Sequence, residues 1–238
     1  MYEKNYKMER FYTDKHKNLL IGQVFHFLND IMEYNADSYG AGEDYHIKRD
    51  LAWVLVEYDI TIHQLPVADQ EVIIGTLPYS FKRMFGYRVY HFKDLNGTLL
   101  IEGKAKFVLI NIKTKELVKP DKALLSLFKD AHQEPVALPF DKVEATKSNL
   151  LYQKKTQVLH THIDVNEHMN NAYYVDLAYN FLDEDTLKSS QIKRIKVAYK
   201  KEALINENLF INYYLENNGL LADITNGKDT FCTVYFIK

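Results

Sequence analysis

One cysteine, Cys232, leaves no partner for an intramolecular disulfide, so the chain cannot be a small disulfide-framed scaffold. Glycine and proline are scarce, 9 and 5 in 238 residues, which excludes collagen-like and low-complexity classes. Apolar runs stop after a few residues, far short of the ~20 that span a bilayer, and the opening segment Met1–Met8 is too polar for the core of a signal peptide. Charge of one sign is also missing. The formal net charge is −2, without the basic field that attracts nucleic acid or anionic membrane. No Gly-rich phosphate loop, Gly-x-Ser-x-Gly elbow or Cys-x-x-Cys pair occurs, which removes the main support for nucleotide-dependent and serine-hydrolase chemistry. The expectation is a cytoplasmic protein with no membrane insertion and no nucleic-acid partner.

What is abundant is aromatic: 18 Tyr and 13 Phe, a balance that favours strands. A helical pattern starts at Asn18, read as its N-cap, with Leu20, Val24, Phe27, Ile31 and Tyr34 on one face, and closes at Gly40. Strand patterns follow over 51–63, 71–78, 84–93 and 98–112. In the first of these Val54, Val56, Tyr58, Ile60 and Ile62 alternate with polar or opposite-face residues. Asn96-Gly97 marks a hairpin with a tight primed turn.

Residues 119–150 hold three of the five prolines and read as a linker packed on the surface, with a short amphipathic piece near 124–128. The order then repeats: a strand near 156–163, a helix over 169–182, and strands near 192–201, 208–216, 220–225 and 230–237. The second helix is apolar nearly all round except for Asp176, Asn180 and Asp183, as expected of a helix wrapped by other structure. This predicts an α+β chain of two tandem antiparallel sheets, each wrapped around a long helix. The arrangement is a double hot-dog, with an N-terminal copy over 1–118, the linker over 119–150 and a C-terminal copy over 151–238.

The densest cluster of reactive side chains is His160-Thr-His162-Ile-Asp164-Val-Asn166-Glu167-His168-Met-Asn170-Asn171, between a strand and the start of the second helix. Such junctions suit anionic transition states because the first helical N–H groups lack intrahelical partners. In extended backbone Asp164, Asn166 and His168 would project to one side. The same residues would equally serve as a capping segment.

The run Asp164-Val165-Asn166-Glu167-His168-Met169-Asn170-Asn171-Ala172-Tyr173-Tyr174 resembles the Asp-x-Asn-x-His-hydrophobic-Asn-Asn-x-x-Tyr motif of the plant-type and bacterial acyl-acyl-carrier-protein thioesterases. Downstream, Ala198-Tyr199-Lys200-Lys201-Glu202-Ala203 is similar to that family's Tyr-Arg-Arg-Glu-Cys segment, and Glu202 follows His168 by the family's spacing, 34 residues. Leu51–Leu55 and Asn111–Thr114 also match family positions. The resemblance implies hydrolysis of fatty acyl thioesters on acyl carrier protein, a double hot-dog fold with the acyl tunnel largely in the N-terminal copy, and a catalytic set of Asp164, Asn166, His168 and Glu202. Ala203 departs from the plant pattern, where Cys stands, so a thiol nucleophile is not available at that position. No cofactor is implied, since phosphopantetheine arrives on the carrier.

The reaction itself needs a nucleophile and an oxyanion donor, because a thiol of pKa near ~8.5 leaves readily. Glu202 would activate water or attack directly, His168 would orient the water or polarise the carbonyl, and Asp164 would fix the imidazole. The Asn166 amide and the N–H groups near Met169–Asn170 are candidate oxyanion donors. Strand parity opposes this, since Ile195, Val197 and Tyr199 share a face that Glu202 leaves; a bulge or the strand end must re-aim it.

Six basic residues and no acid lie between Thr186 and Lys201. Of these, Lys193, Arg194, Lys196, Lys200 and Lys201 form a candidate docking strip for an acidic carrier, or alternatively lysines guarding an exposed strand. His160 and His162 alternate on one strand face, without the third ligand a metal site requires. Cys232 reads as buried and inert. An acyl-CoA thioesterase, another hot-dog acyl-thioester enzyme and a non-catalytic acyl-binding protein remain the alternatives, and a homodimer is open.

Overall fold

The computed structural model describes residues 1–132, 134–141, 146–183, 185–188 and 191–238. Ten strands form one antiparallel sheet: β1 (Tyr2–Lys7), β2 (Leu51–Ile62), β3 (Glu71–Lys82), β4 (Phe85–Asp94), β5 (Leu99–Asn111), β6 (Leu150–Gln157), β7 (Arg194–Tyr199), β8 (Asn208–Glu216), β9 (Gly219–Thr225) and β10 (Thr230–Ile237). The helices are α1 (Ile21–Ser38), α2 (Glu43–Ile47), α3 (Lys122–Leu127) and α4 (Asn171–Asn180). The strand order β1-β3-β4-β5-β2-β7-β10-β9-β8-β6 is palindromic, because each strand of the first half has its counterpart five strands later. The two expected sheets therefore join edge to edge. β2 pairs with β7 from Glu57↔Ala198 to Thr61↔Arg194, so neither half leaves its inner edge exposed. This is the hot-dog fold in two copies.

A single apolar core holds both long helices. Val24, Phe25, Leu28 and Ile31 of α1 and Ala172, Val175 and Ala178 of α4 are buried with Tyr58, Ile60, Phe92, Ile195, Val197, Tyr213 and Phe236 of the sheet. Burying a side chain the size of Phe25 or Phe92 contributes ~2 kcal/mol. α1 and α4 also touch each other, which ties the two halves together through their helices as well as their strands.

Four local expectations are corrected. Asn18 does not cap α1: Asp14 Oδ1 accepts the N–H groups of His16 and Asn18, folding 14–18 into a turn and delaying the helix to Ile21. β2 carries a bulge between Leu55 and Glu57 that switches parity, so Leu55 is buried and Val54 and Val56 are only half-buried. The Asn96-Gly97 hairpin forms, but Gly97 (φ +86°) is its positive-φ residue and Asn96 is not. Asp94 Oδ1, which accepts the N–H groups of Asn96 and Thr98, holds this unprimed turn. The strand expected at 156–163 is β6, earlier by six residues at its start, and 160–162 is a single 3-10 turn.

The segment read as a linker, 119–150, contains residues 133 and 142–145, which lie outside the described residues. Its described part crosses the outer face of the sheet. The Ser80 hydroxyl donates to Val136 O, Phe140 lies against Lys104 and Lys106, and Asp141 pairs with Arg194 and Lys196.

Candidate active site

Asp164 organises the motif as a closed turn. The Asp164 N–H donates to His168 O (3.1 Å), the Glu167 N–H to Asp164 O (3.0 Å), and the Asn166 N–H to Asp164 Oδ1 (2.9 Å). Glu167 takes φ +64°, and Ile163 and Met169 bridge the ends of the turn. The expected extended backbone is thus replaced by a reversal, since a carboxylate two residues before an N–H closes a turn more readily than it leaves a strand. Asn170 follows as the N-cap of α4, its Oδ1 accepting the Ala172 N–H at 3.0 Å; such caps contribute about 1 kcal/mol.

Glu202 reaches the same place from the other side. β7 ends at Tyr199, and the Lys200 and Lys201 N–H groups both donate to Phe231 O (2.8 and 3.2 Å), so parity is reset after the strand end. Ala203 is then clamped to α4: its N–H donates to the Tyr174 hydroxyl (2.9 Å), and its carbonyl accepts the Met169 N–H (2.9 Å). With its neighbour held in this way, Glu202 Oε1 lies 3.5 Å from His168 Nε2, the imidazole half-buried and the carboxylate exposed.

The structure redistributes the remaining roles. His168 Nδ1 faces Met169 O at 3.4 Å, while the Asp164 carboxylate is engaged by the Asn166 N–H and, at 3.4 Å, by Asn170 Nδ2. Asp164 therefore shapes the turn that carries His168 and does not bond the imidazole. The Met169 and Asn170 N–H groups donate to Ala203 O and His162 O, which removes both as oxyanion donors. The Asn166 side-chain amide and the first helical N–H, of Asn171, have no partner among the described residues and remain suitable.

The turn occurs twice, 150 residues apart. In the first copy the Asp14 N–H donates to Asn18 O (2.8 Å), Asp14 Oδ1 accepts the His16 N–H (2.8 Å), Lys17 takes φ +65°, and the Leu20 N–H donates to Tyr12 O (2.9 Å). The Leu19 N–H bonds Pro66 O as the Met169 N–H bonds Ala203 O. Superposed in this way, Asn18 stands where His168 does and Leu65 where Glu202 does. Only the C-terminal copy carries the imidazole and the carboxylate.

The N-terminal half nevertheless takes part. The Tyr58 hydroxyl donates to Asn29 Oδ1 (3.1 Å), and Asn29 Nδ2 donates to Asn170 Oδ1 (3.2 Å), so α1 supports the cap that begins α4. Sequence reading missed Asn29; its one signal was a polar residue beside the apolar stripe of α1.

Two family models match, the acyl-ACP thioesterase N-terminal domain over residues 1–127 and the acyl-ACP thioesterase C-terminal domain over residues 145–231. The chain belongs to the acyl-ACP thioesterase family. A chloroplastic acyl-[acyl-carrier-protein] hydrolase of Cuphea viscosissima is 24% identical over 164 residues, 65% of this chain and 39% of that protein. The chain thus aligns with well under half the length of that relative. Among solved structures, the 12:0-ACP thioesterase from Umbellularia californica superposes with a TM-score of 0.88 at 17% identity, covering 99% of this chain and 96% of that one. An acyl-ACP thioesterase from Bacteroides thetaiotaomicron gives 0.84 at 17% identity, covering 99% and 96%. At such identities these likenesses speak for the fold.

Within this acyl-ACP thioesterase framework the basic strip divides. Arg194 grips Asp59 through Nε (2.6 Å) and Nη2 (2.7 Å) and also reaches Asp141, Lys196 pairs with Asp141 at 3.5 Å, and Lys201 pairs with Asp229 at 2.5 Å. Burial would raise the Asp59 carboxyl, yet Arg194 and Lys104 hold it below the ordinary carboxylate range. Arg194 is a bolt across the β2–β7 seam, and the Lys193 and Lys200 side chains have no ion pair among the described residues. His160 and His162 do not share a strand face: His160 is exposed, and the buried His162 accepts the Leu159 N–H through Nδ1. No cluster of three or more metal-ligating side chains occurs among the described residues. Cys232 is fully buried, and burial pushes its thiol well up.

Proposed function

We propose that this chain hydrolyses fatty acyl thioesters carried on acyl carrier protein, giving the free fatty acid and the carrier thiol and so ending chain extension. The observation that carries the reading is the His168–Glu202 pair at the N-terminus of α4, in a chain whose two halves match the two domains of the family. Glu202, exposed to solvent, removes a proton from water as the water attacks the thioester carbon. His168 orients that water, the Asn166 amide and the Asn171 N–H receive the developing oxyanion, and collapse of the tetrahedral intermediate expels the thiolate, which takes up the proton. Asp164 serves by holding the turn.

In this reading the acyl chain extends toward the N-terminal half, and the carrier brings its own phosphopantetheine, so the chain needs no cofactor. The site of action is the cytoplasm, with the chain working alone or as a homodimer. The test is release of free acid and free thiol from a ladder of saturated acyl-carrier-protein substrates beside the matching CoA esters. Faster turnover of the carrier series supports the proposal; preference for CoA, or no turnover of either, contradicts it.

A further inference from the structure

The strand end that carries Glu202 and the helix start that follows His168 are joined by two tyrosine hydroxyls working in opposite directions. Tyr174 of α4 accepts the Ala203 N–H at 2.9 Å. Tyr199, the last residue of β7, donates to Asn171 O, at the first residue of α4, at 3.0 Å. The two rings meet edge to face, 5.9 Å between centroids. Glu202 is thus braced from both sides, by Tyr199 three residues before it and by Ala203 immediately after it. Tyr174 and Ala203 are both buried, so no water replaces their bond if it is lost. Burial also pushes the Tyr199 hydroxyl above its ordinary range, which keeps on it the proton that it donates.

The duplicated fold contains its own control. The His63 and Gln64 N–H groups both donate to Leu100 O (2.9 and 3.1 Å), as those of Lys200 and Lys201 do to Phe231 O. The first copy therefore ends its strand in the same way, with Ile62 in the place of Tyr199, Pro66 in that of Ala203 and Val24 in that of Tyr174. Pro66 has no N–H to give, and Val24 and Ile62 have no hydroxyl. Both aliphatic side chains are buried. The turn, the strand end and the helix start thus all form without a brace, and the copy that has one is the copy that holds His168 and Glu202.

Building on the thioesterase reading, we propose that Tyr174 and Tyr199 are positioning residues for the hydrolysis, fixing the strand end against α4 so that Glu202 stays within reach of His168. Neither hydroxyl touches a reacting atom. Their contribution is the geometry of the pair, which a shift of about 1 Å is enough to spoil.

The test is steady-state kinetics of Tyr174→Phe and Tyr199→Phe on one saturated carrier-bound substrate. The matched control is Tyr213→Phe, which removes another buried hydroxyl bonded to an α4 carbonyl, that of Ala178 (2.6 Å). The first two variants should lower kcat by about tenfold and leave KM within about twofold, while Tyr213→Phe should keep the wild-type kcat. In a Glu202→Gln background neither Tyr174→Phe nor Tyr199→Phe should cost anything more. Tyr174→Phe strands a buried N–H, but Tyr199→Phe leaves only a carbonyl that the helix itself engages, so the latter should fold in any case. Wild-type kcat in Tyr199→Phe, equal losses in all three variants, or losses that persist beside Glu202→Gln would overturn the proposal. A wild-type protein that turns over neither carrier nor CoA esters would refute the thioesterase reading instead. Crystal structures then decide the brace alone: loss of the His168–Glu202 contact in Tyr199→Phe supports it, and an unchanged contact contradicts it.

Discussion

His26 and Asp176 are separated by 150 residues, the same offset that relates the two copies of the Asp14 and Asp164 turns, and their side chains meet at 2.6 Å between α1 and α4. Each occupies the other's position in the opposite half, so the pair marks the pseudo-twofold axis of the duplicated fold. The axis residues have diverged into a complementary imidazole and carboxylate. Gly22 makes room for this pair: a Cβ there would lie 1.5 Å from Asp176 Oδ1.

Gly22→Ala is therefore expected to destabilise the protein although it sits in a helix. Alanine gains ~1 kcal/mol in helix propensity, but displacing Asp176 from His26 forfeits a charge-assisted bond of about 1.5–3 kcal/mol. Denaturant unfolding of Gly22→Ala, Asp176→Ala and the double variant checks this. The Gly22→Ala penalty should vanish in the Asp176→Ala background; an additive double variant would contradict the steric account.

Asn29→Ala should lower kcat by about tenfold while moving KM little, because Asn29 supports the Asn170 cap and touches no reacting group. Tyr58→Phe, one bond farther away, should act in the same direction and more weakly. Steady-state kinetics on one saturated substrate decides the matter, and a change confined to KM would assign Asn29 to substrate binding instead.

The β2–β7 seam should be sensitive to acid. The folded-state pKa of Asp59 lies below its unfolded value, so its stabilisation is complete above the unfolded value near ~4 and is lost as pH falls through the folded value. Asp59→Asn leaves Arg194 and Lys104 without their carboxylate and should cost about 3 kcal/mol at neutral pH. Unfolding free energies measured against pH should show the gap between wild type and variant closing below about pH 4; a constant gap would show that the pair's charge is not its contribution.

The periodicities of α1 and β8 were legible because each has one face in the core, and helical spacing or alternation records that directly, whereas the bulge in β2 broke the alternation read there. The closed turn at Asp164 was not: Asp-x-Asn-x-His has the spacing of a strand, and only the positive φ of Glu167 and the bonds to Asp164 reverse it. Glu202 looked misdirected for the same reason, since the shared acceptor Phe231 O that resets its parity lies 29 residues away in sequence. The ion pairs of Arg194 and Lys196 were not legible either, because their acidic partners Asp59 and Asp141 come from other segments. The role of Asn29 depends on the way the halves pack, which no local pattern encodes.

The central claim is that His168 and Glu202 work as one hydrolytic pair. Single-turnover free-acid release from a carrier-bound saturated acyl substrate should fall by ~100-fold or more in both Glu202→Gln and His168→Ala. Neither side chain is fully buried, so melting temperatures should stay within a few degrees of wild type. The double variant should be little worse than either single one. Wild-type release by folded Glu202→Gln would contradict the account.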